Sequence, residues 1–331
     1  MVRGTPRLRT RARFVAAAAV LLALALFAGC GGDDDTVEAG APVTLKVGVL
    51  PIADVAPLYL GVSKGFFEDE RIKIEPQTTQ GGAEVTAGVV SGDFDLGFAA
   101  PEPLMAARDR DLPVTIVSQA VQAAADPERD WGQLIVPAGG EIREPKDLEG
   151  RTIAVNALKS MPELCVRIVL DRQGVDTDKI DFVEVPFPEM TAALEAGRVD
   201  AIAPVEPFVT QAVGGGARSL GSYLAAIEPK MTVATYFTLD AYAERNRGVV
   251  ERFTKAMSRS LDYAQAHPDE VRREVTAYTE IPPAVARRMT LPFWSSDLNV
   301  PTIELIAEES KRFGMVEEAP DVDAMIWEGA R

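Results

Sequence analysis

The chain has one histidine, His267, and two cysteines, Cys30 and Cys165, in 331 residues. That scarcity excludes a histidine- or cysteine-rich metal site and leaves no disulfide framework. A Ser-His-Asp triad would have to use His267, which stands in Ala266-His267-Pro268-Asp269-Glu270 at an expected helix end, and no Gly-x-Ser-x-Gly elbow is present. A solvated or capping imidazole is the expectation instead. Gly81-Gly82 and Gly214-Gly215-Gly216 lack the Walker lysine and the dinucleotide spacing. Asp33-Asp34-Asp35 lacks the spacing of a calcium loop. No cofactor is implied. Positive charge is scarce as well, with 34 Lys and Arg against 50 Asp and Glu and a net charge of -16. Nucleic acid and anionic surfaces are repelled by such a body.

What is present is a foldable chain, 47% hydrophobic and 25% charged, long enough for about two domains with proper cores. Its N-terminus groups Arg3, Arg7, Arg9, Arg11 and Arg13 ahead of the apolar run Phe14 to Ala28, the layout of a secretory signal over residues 1–29. Those arginines are the only ionisable side chains there, so the remainder carries 29 basic against 50 acidic groups, a charge of -21. Leu26-Phe27-Ala28-Gly29-Cys30 resembles a bacterial lipoprotein box, apart from the aromatic Phe27, and implies lipid on Cys30. An ordinary signal followed by an incidental cysteine is the alternative. Residues 30–42 have too little apolar content to fold and read as a flexible tether spanning about 20 Å. Cys165, in the apolar helical stretch Pro162–Leu170, is expected to be a buried, inert thiol.

From residue 43 on, short apolar β-type runs alternate with helical stretches, an α/β pattern of mostly parallel strands covered by helices. Strands are expected at 45–50, 72–76, 94–99 and 114–119, then again at 133–136, 152–156, 180–185 and 199–204, with a further run at 231–238. Everything from Asp240 onward looks helical. The two series share one grammar. The chain leaves the first near Gln119–Trp131 and returns near Leu220–Val233, which makes a hinge of two crossings.

In open α/β sheets ligands sit beyond the carboxyl ends of strands, which here are the segments beginning Pro51, Gln80, Ala99, Asn156, Pro186 and Pro204. Around them stand Ala56-Pro57-Leu58-Tyr59, Lys64-Gly65-Phe66-Phe67-Glu68, Ser91-Gly92-Asp93-Phe94-Asp95-Leu96-Gly97, Asp147-Leu148-Glu149-Gly150-Arg151-Thr152 and Ala193-Leu194-Glu195-Ala196-Gly197-Arg198. In this order the motifs resemble the solute-binding subunits of ABC importers for nitrate, sulfonates, taurine and thiamine-precursor pyrimidines. The likeness runs through nearly the whole chain after the tether. It implies a type II periplasmic-binding-protein-like fold, with two mixed sheets flanked by helices and joined by the two-crossing hinge. Lobe 1 would hold residues 43–120 and 232–331, and lobe 2 residues 121–231. It further implies an extracytoplasmic monomer, anchored to the membrane through its N-terminal lipid, that closes on a small molecule and delivers it to an ABC permease and its ATPase.

Binding roles then fall on residues after the strands. Tyr59 and Phe208 are placed for flat apolar contact, and Gln80, Gln119, Asn156 and Thr235 for neutral hydrogen bonds. Asp54, Ala56, Gly81, Gly82, Ala100, Ser160 and Glu189 complete the set. Glu102 and Glu206 admit two readings: an inward carboxylate that takes an amine or amidine of the ligand, or a cap on the helix after Pro101 or Pro204. Lys159 is the only cation in these segments. The balance tilts from nitrate or sulfonate toward a polar nitrogenous molecule such as a pyrimidine. The cysteine-rich motif of the pyrimidine-synthesising enzymes in this superfamily is absent and one histidine is too few for their chemistry, so a receptor without turnover is expected, with an enzyme or sensor on the same fold as the alternative.

Overall fold

The computed structural model describes residues 40–330. The expected signal, Cys30 and all of the tether before Gly40 lie outside the described residues. The strands in chain order are β1 (Val43–Val49), β2 (Ile72–Thr78), β3 (Leu96–Ala99), β4 (Val114–Gln122), β5 (Gln133–Pro137), β6 (Thr152–Val155), β7 (Asp181–Glu184), β8 (Ala201–Ile202), β9 (Ala217–Ser222) and β10 (Thr232–Leu239). They form two five-stranded sheets, ordered β2-β1-β3-β10-β4 and β7-β6-β8-β5-β9.

The sheets repeat one plan. In the first, β1 is parallel to β2 and β3, while β10 is antiparallel to β3 and β4, with Tyr236 opposite Phe98 and Ser118. In the second, β6 is parallel to β7 and β8, and β5 is antiparallel to β8 and β9. Every residue of β4 is buried, as is all of β10 except Leu239. Such strands need helices on both faces, which is why they read as continuous apolar runs rather than alternating ones. Gly97 shows how close the layers come: a Cβ there would sit 2.4 Å from Val85 and 2.6 Å from Phe237. Gly65, at φ 76°, ends the helix Ala56–Ser63 and turns Phe66 and Phe67 under it into the core.

Two stretches depart from the sequence reading. No strand is expected at 217–222, because Arg218, Ser219, Gly221 and Ser222 give an edge strand that is only half buried; β9 forms there by pairing with β5 alone. The region after Asp240 is not helical throughout. Irregular chain interrupts the helices Pro268–Tyr278, Pro283–Ala286 and Val300–Arg312 and follows the last of them, and it returns to the first sheet before and after that helix, where Phe293 bridges Gln122 and Ile326 bridges Ile116. Trp294 and Trp327 are buried by this return.

The two crossings between sheets lie side by side. Ala123 N–H donates to Met231 O at 2.8 Å and Lys230 N–H to Ala124 O at 3.1 Å. Asp130, fully buried, accepts from the amides of Ala124 (3.2 Å), Leu224 (3.3 Å) and Ala225 (2.8 Å) and from the Ser222 hydroxyl, so one carboxylate ties both crossings. Each buried donor left without its acceptor costs about 1–3 kcal/mol. Asp130→Ala should therefore lower the melting temperature by roughly 6 °C or more, at about 2–4 °C per kcal/mol, and Asp130→Asn by less. Circular-dichroism melts check this, and an unchanged midpoint in Asp130→Ala would remove Asp130 from its structural role.

Candidate ligand-binding site

The carboxyl ends of both sheets contribute to one inner cavity of about 60 Å³. Asp54, Ala100 and Pro103 line it from the first half, and Asn156, Ser160 and Tyr223 from the second. Asp54 stands in the single turn Ala53–Val55 directly after β1. That turn is held from outside: the Trp294 indole N–H donates to Asp54 O at 3.3 Å, and Ala53 N–H donates to Glu206 O at 3.1 Å. The Asp54 side chain is free to face inward, 3% exposed, and its Oδ1 has no hydrogen-bond partner among the described residues. Burial raises its pKa from the ordinary carboxylate range to about 8, with its own backbone amide opposing the shift.

Glu102 is the second residue of the helix Pro101–Arg108. It is 2% exposed, and neither carboxylate oxygen has a partner among the described residues. Burial again raises the pKa to about 8, and only the field of its own amide works against it. Glu102 lines a second space, an outer groove of about 510 Å³ between the helices Gly82–Ser91 and Pro101–Arg108 on one side and residues 157–160 on the other. Gly82, Pro103 and Ser160 line both spaces, so the two adjoin. Gly81 marks how close the halves come, since a Cβ there would lie 3.9 Å from the Ala157 Cβ. In the second half, Ser160 Oγ donates to Asn156 Oδ1 at 3.2 Å.

Other residues singled out from the sequence stand elsewhere. Gln80 is exposed, and its amide is taken by Glu84 Oε2 at 2.9 Å. Ala56 is buried at the start of its helix, and Tyr59, one turn on, stacks on Tyr278 at 4.0 Å, outside the cavity lining. Gln119 works in the hinge, with Nε2 donating to Thr232 Oγ1 and Oε1 accepting from Ala120 N–H, both at 3.2 Å. Thr235 donates to Ala99 O across the sheet at 3.5 Å. Glu189 is exposed in the first turn of the helix Phe187–Glu195. Phe208 stacks behind Phe187 at 6.4 Å, and it is Phe187 that reaches the cavity.

Glu206 takes its capping role. Its carboxylate accepts from Thr210 N–H (3.1 Å), Thr210 Oγ1 (2.7 Å) and Thr290 N–H (2.9 Å). Burial raises its pKa to about 7, and these three bonds hold the shift below that of Asp54 and Glu102. Tyr223 was missing from the sequence reading because the edge strand before it carries no strand pattern. It lines the cavity while its hydroxyl donates to Ala203 O or Pro204 O at 3.2 and 3.0 Å. Among the described residues the inner cavity is lined by no Lys, Arg or His, whereas Arg110 and Lys159 line the groove.

The profile of the family described as NMT1/THI5 like matches residues 52–271. A putative binding protein, YtlA, from Bacillus subtilis is 24% identical over 64% of this chain, and the match spans 63% of that relative's own length. A formylaminopyrimidine-binding protein from Halalkalibacterium halodurans is 23% identical, over 76% of this chain and 75% of that one. Enzymes occur among the relatives too, including one from Aspergillus parasiticus named 4-amino-5-hydroxymethyl-2-methylpyrimidine phosphate synthase, 25% identical over 64% of each chain. The alkanesulfonate-binding protein SsuA from Xanthomonas axonopodis pv. citri, solved bound to MOPS, superposes with a TM-score of 0.72 at 21% identity over 87% of this chain and 99% of that one. That likeness shows the fold, a periplasmic-binding-protein architecture of two mixed sheets flanked by helices.

Asp54, Glu102 and Glu206 all have raised pKa values in the folded chain, near 8, 8 and 7. Their neutral forms stabilise the fold fully below the unfolded carboxylate value of about 4, and that contribution is lost as pH rises through the folded values. The ligand-free protein should therefore melt at lower temperature at pH 8.5 than at pH 5.5. Asp54→Asn with Glu102→Gln should flatten the decline and melt above the parent at pH 8.5. Scanning calorimetry across that range decides, and a parent midpoint that holds or rises toward pH 8.5 would contradict the assignment.

Proposed function

We propose, for a chain that belongs to the NMT1/THI5-like family, that it is the solute-binding component of an ABC importer and passes its solute to a permease and its ATPase. The observation that carries this reading is a cavity walled by both halves into which a buried acid, Asp54, brings a carboxylate oxygen with no partner among the described residues, beside a groove where Glu102 does the same. Buried polar groups are ordinarily satisfied, so an unsatisfied acid in a cavity wall is a place made for another molecule's donor. Residues 43–120 with 232–331 act as one lobe and 121–231 as the other, and the paired crossings serve as the hinge that closes them.

The solute we assign is a small polar organic molecule bearing nitrogen donors. A sulfonate or nitrate would bring negative charge to a chamber lined by Asp54 and no cation, with no gain to offset its desolvation. Capture without chemistry is supported by the state of Cys165 and His267. Cys165 is buried and its thiol pKa is raised well above the usual value by that burial. His267 sits between two helices, stacked on Tyr263, with Nδ1 2.8 Å from Tyr263 O. The sequence supports a location outside the cytoplasm on a lipid carried by Cys30. Cys30→Ser should move the protein from the membrane to the soluble fraction of the producing cell, and retention in the membrane would refute lipid anchoring.

The purified chain should bind one solute per molecule and return it unchanged. At 100 times its dissociation constant a ligand adds about 2.7 kcal/mol of stability. Among pyrimidines, amines, taurine, alkanesulfonates and nitrate, thermal shift should select nitrogen-donor compounds. Asp54→Asn should abolish the shift, and Glu206→Gln should lower the starting melting temperature but keep it. Native mass spectrometry of the bound compound closes the test: a product mass in place of the added compound would make the chain an enzyme.

A further inference from the structure

Resting on the receptor reading above, we infer that the solute is elongated and dipolar, with a nitrogen-donor end held inside by Asp54 and Glu102 and an acidic or strongly hydrogen-bond-accepting end held outside by Arg110 and Lys159. Small-molecule sites occupy about 300–1,000 Å³. The inner cavity, at about 60 Å³, accommodates only a small group of atoms. A molecule anchored at Asp54 and larger than this chamber would extend past Gly82, Pro103 and Ser160 toward the adjoining 510 Å³ groove, which Glu102 lines.

The groove has its own character. Small side chains, Ala83, Ala87 and Ala106, leave it open along the two helices. Arg110 and Lys159 are exposed and line it from opposite halves of the molecule, and neither forms an ion pair among the described residues. Some cations of this acidic surface are paired, as Lys64 is with Glu270 and Lys179 with Glu149, whereas Arg110 and Lys159 keep their charge turned to the groove. Lys159 is also one of the few non-glycine residues in the left-handed region, at φ 56°. A conformation of that kind persists only where surrounding contacts enforce it. Here the enforcing bond is Lys159 N–H to Glu163 Oε2 at 2.7 Å, which fixes the backbone at the groove rim. Charge along the path thus runs from acid at the inner end, through acid at the neck, to base at the mouth. A solute with one charge sign at both ends would meet repulsion at one of them.

The test uses thermal shift and calorimetry on the purified chain with matched probes: benzamidine against 4-amidinobenzoate, and aliphatic amines against amino acids of increasing chain length. The dipolar member of at least one pair should bind about tenfold or more tightly than its monopolar partner. Arg110→Ala with Lys159→Ala should erase that difference, while Asp54→Asn should weaken both members. If monopolar compounds bind as well as dipolar ones, or the double variant keeps the full difference, the dipolar assignment is wrong while the receptor reading stands. If no probe in either series binds and nothing co-purifies in native mass spectrometry, the receptor reading falls and takes this inference with it.

Discussion

Everything about the cleft depends on the two chain crossings keeping one geometry, and Asp130 is the group that imposes it. A crossing strand leaves its sheet and loses ladder partners, so its amides need acceptors from elsewhere. Asp130 supplies them to three amides and a hydroxyl at once, and Trp131 adds an indole bond to Gln122 O at 3.0 Å. Burial alone would make a carboxylate at this place costly, and it does raise the Asp130 pKa, but four donors offset much of the cost. With the crossings tied, β10 and β5 enter their sheets antiparallel at fixed register, and the loops after β1, β3, β6 and β8 are brought to face one another.

The same residue type in similar burial then does opposite things. Asp130 and Glu206 are acids saturated by donors, and both hold elements together. Asp54 and Glu102 line open spaces, opposed by little more than their own backbone amides, and Asp54 Oδ1 and both Glu102 oxygens have no partner among the described residues. Burial area does not separate the two pairs, since all four are at most 3% exposed. Partner count does. A fold that satisfies its buried acids at the hinge and at a helix start but not in the cavity carries its local inconsistency where a ligand would relieve it.

This also explains what was legible in the sequence. β4 and β10 stand out as long β-branched and apolar runs, β1 and the start of β2 as alternating ones, and the helix starts stand out through Pro57, Pro101, Pro162 and Pro188. Asp54 and Glu102 were recoverable because strand ends in such sheets are ligand positions whatever side chain they carry. What no sequence pattern carries is the count of donors around a side chain. Glu102 and Glu206 both follow a strand and a proline-bearing turn, yet only Glu206 meets Thr290, which lies 84 residues away along the chain. Gln119 and Thr235 were drawn to the site by polarity, whereas the hinge and the sheet consume that polarity internally. Tyr223 was hidden behind a half-exposed edge strand with no alternation to reveal it.

The unpartnered acids also tie solute capture to protons. In the empty protein near neutral pH, carboxylates with pKa values near 8 are largely protonated, and the fold is more stable for it. A cationic solute favours the ionised form, because an opposite charge in a dry site lowers the carboxylate pKa. Its binding therefore releases protons, and each proton released ties affinity to pH with the sign opposite to that of the empty fold. Raising the pH toward 8 weakens the protein without solute and strengthens its hold on a cation. A neutral donor such as an amide gains much less from ionisation, since a protonated carboxyl can both donate to it and accept from it. On the site proposed above, the two acids would read the charge of the solute end that meets them, and Arg110 and Lys159 would not disturb that reading at Asp54, because they do not line its chamber.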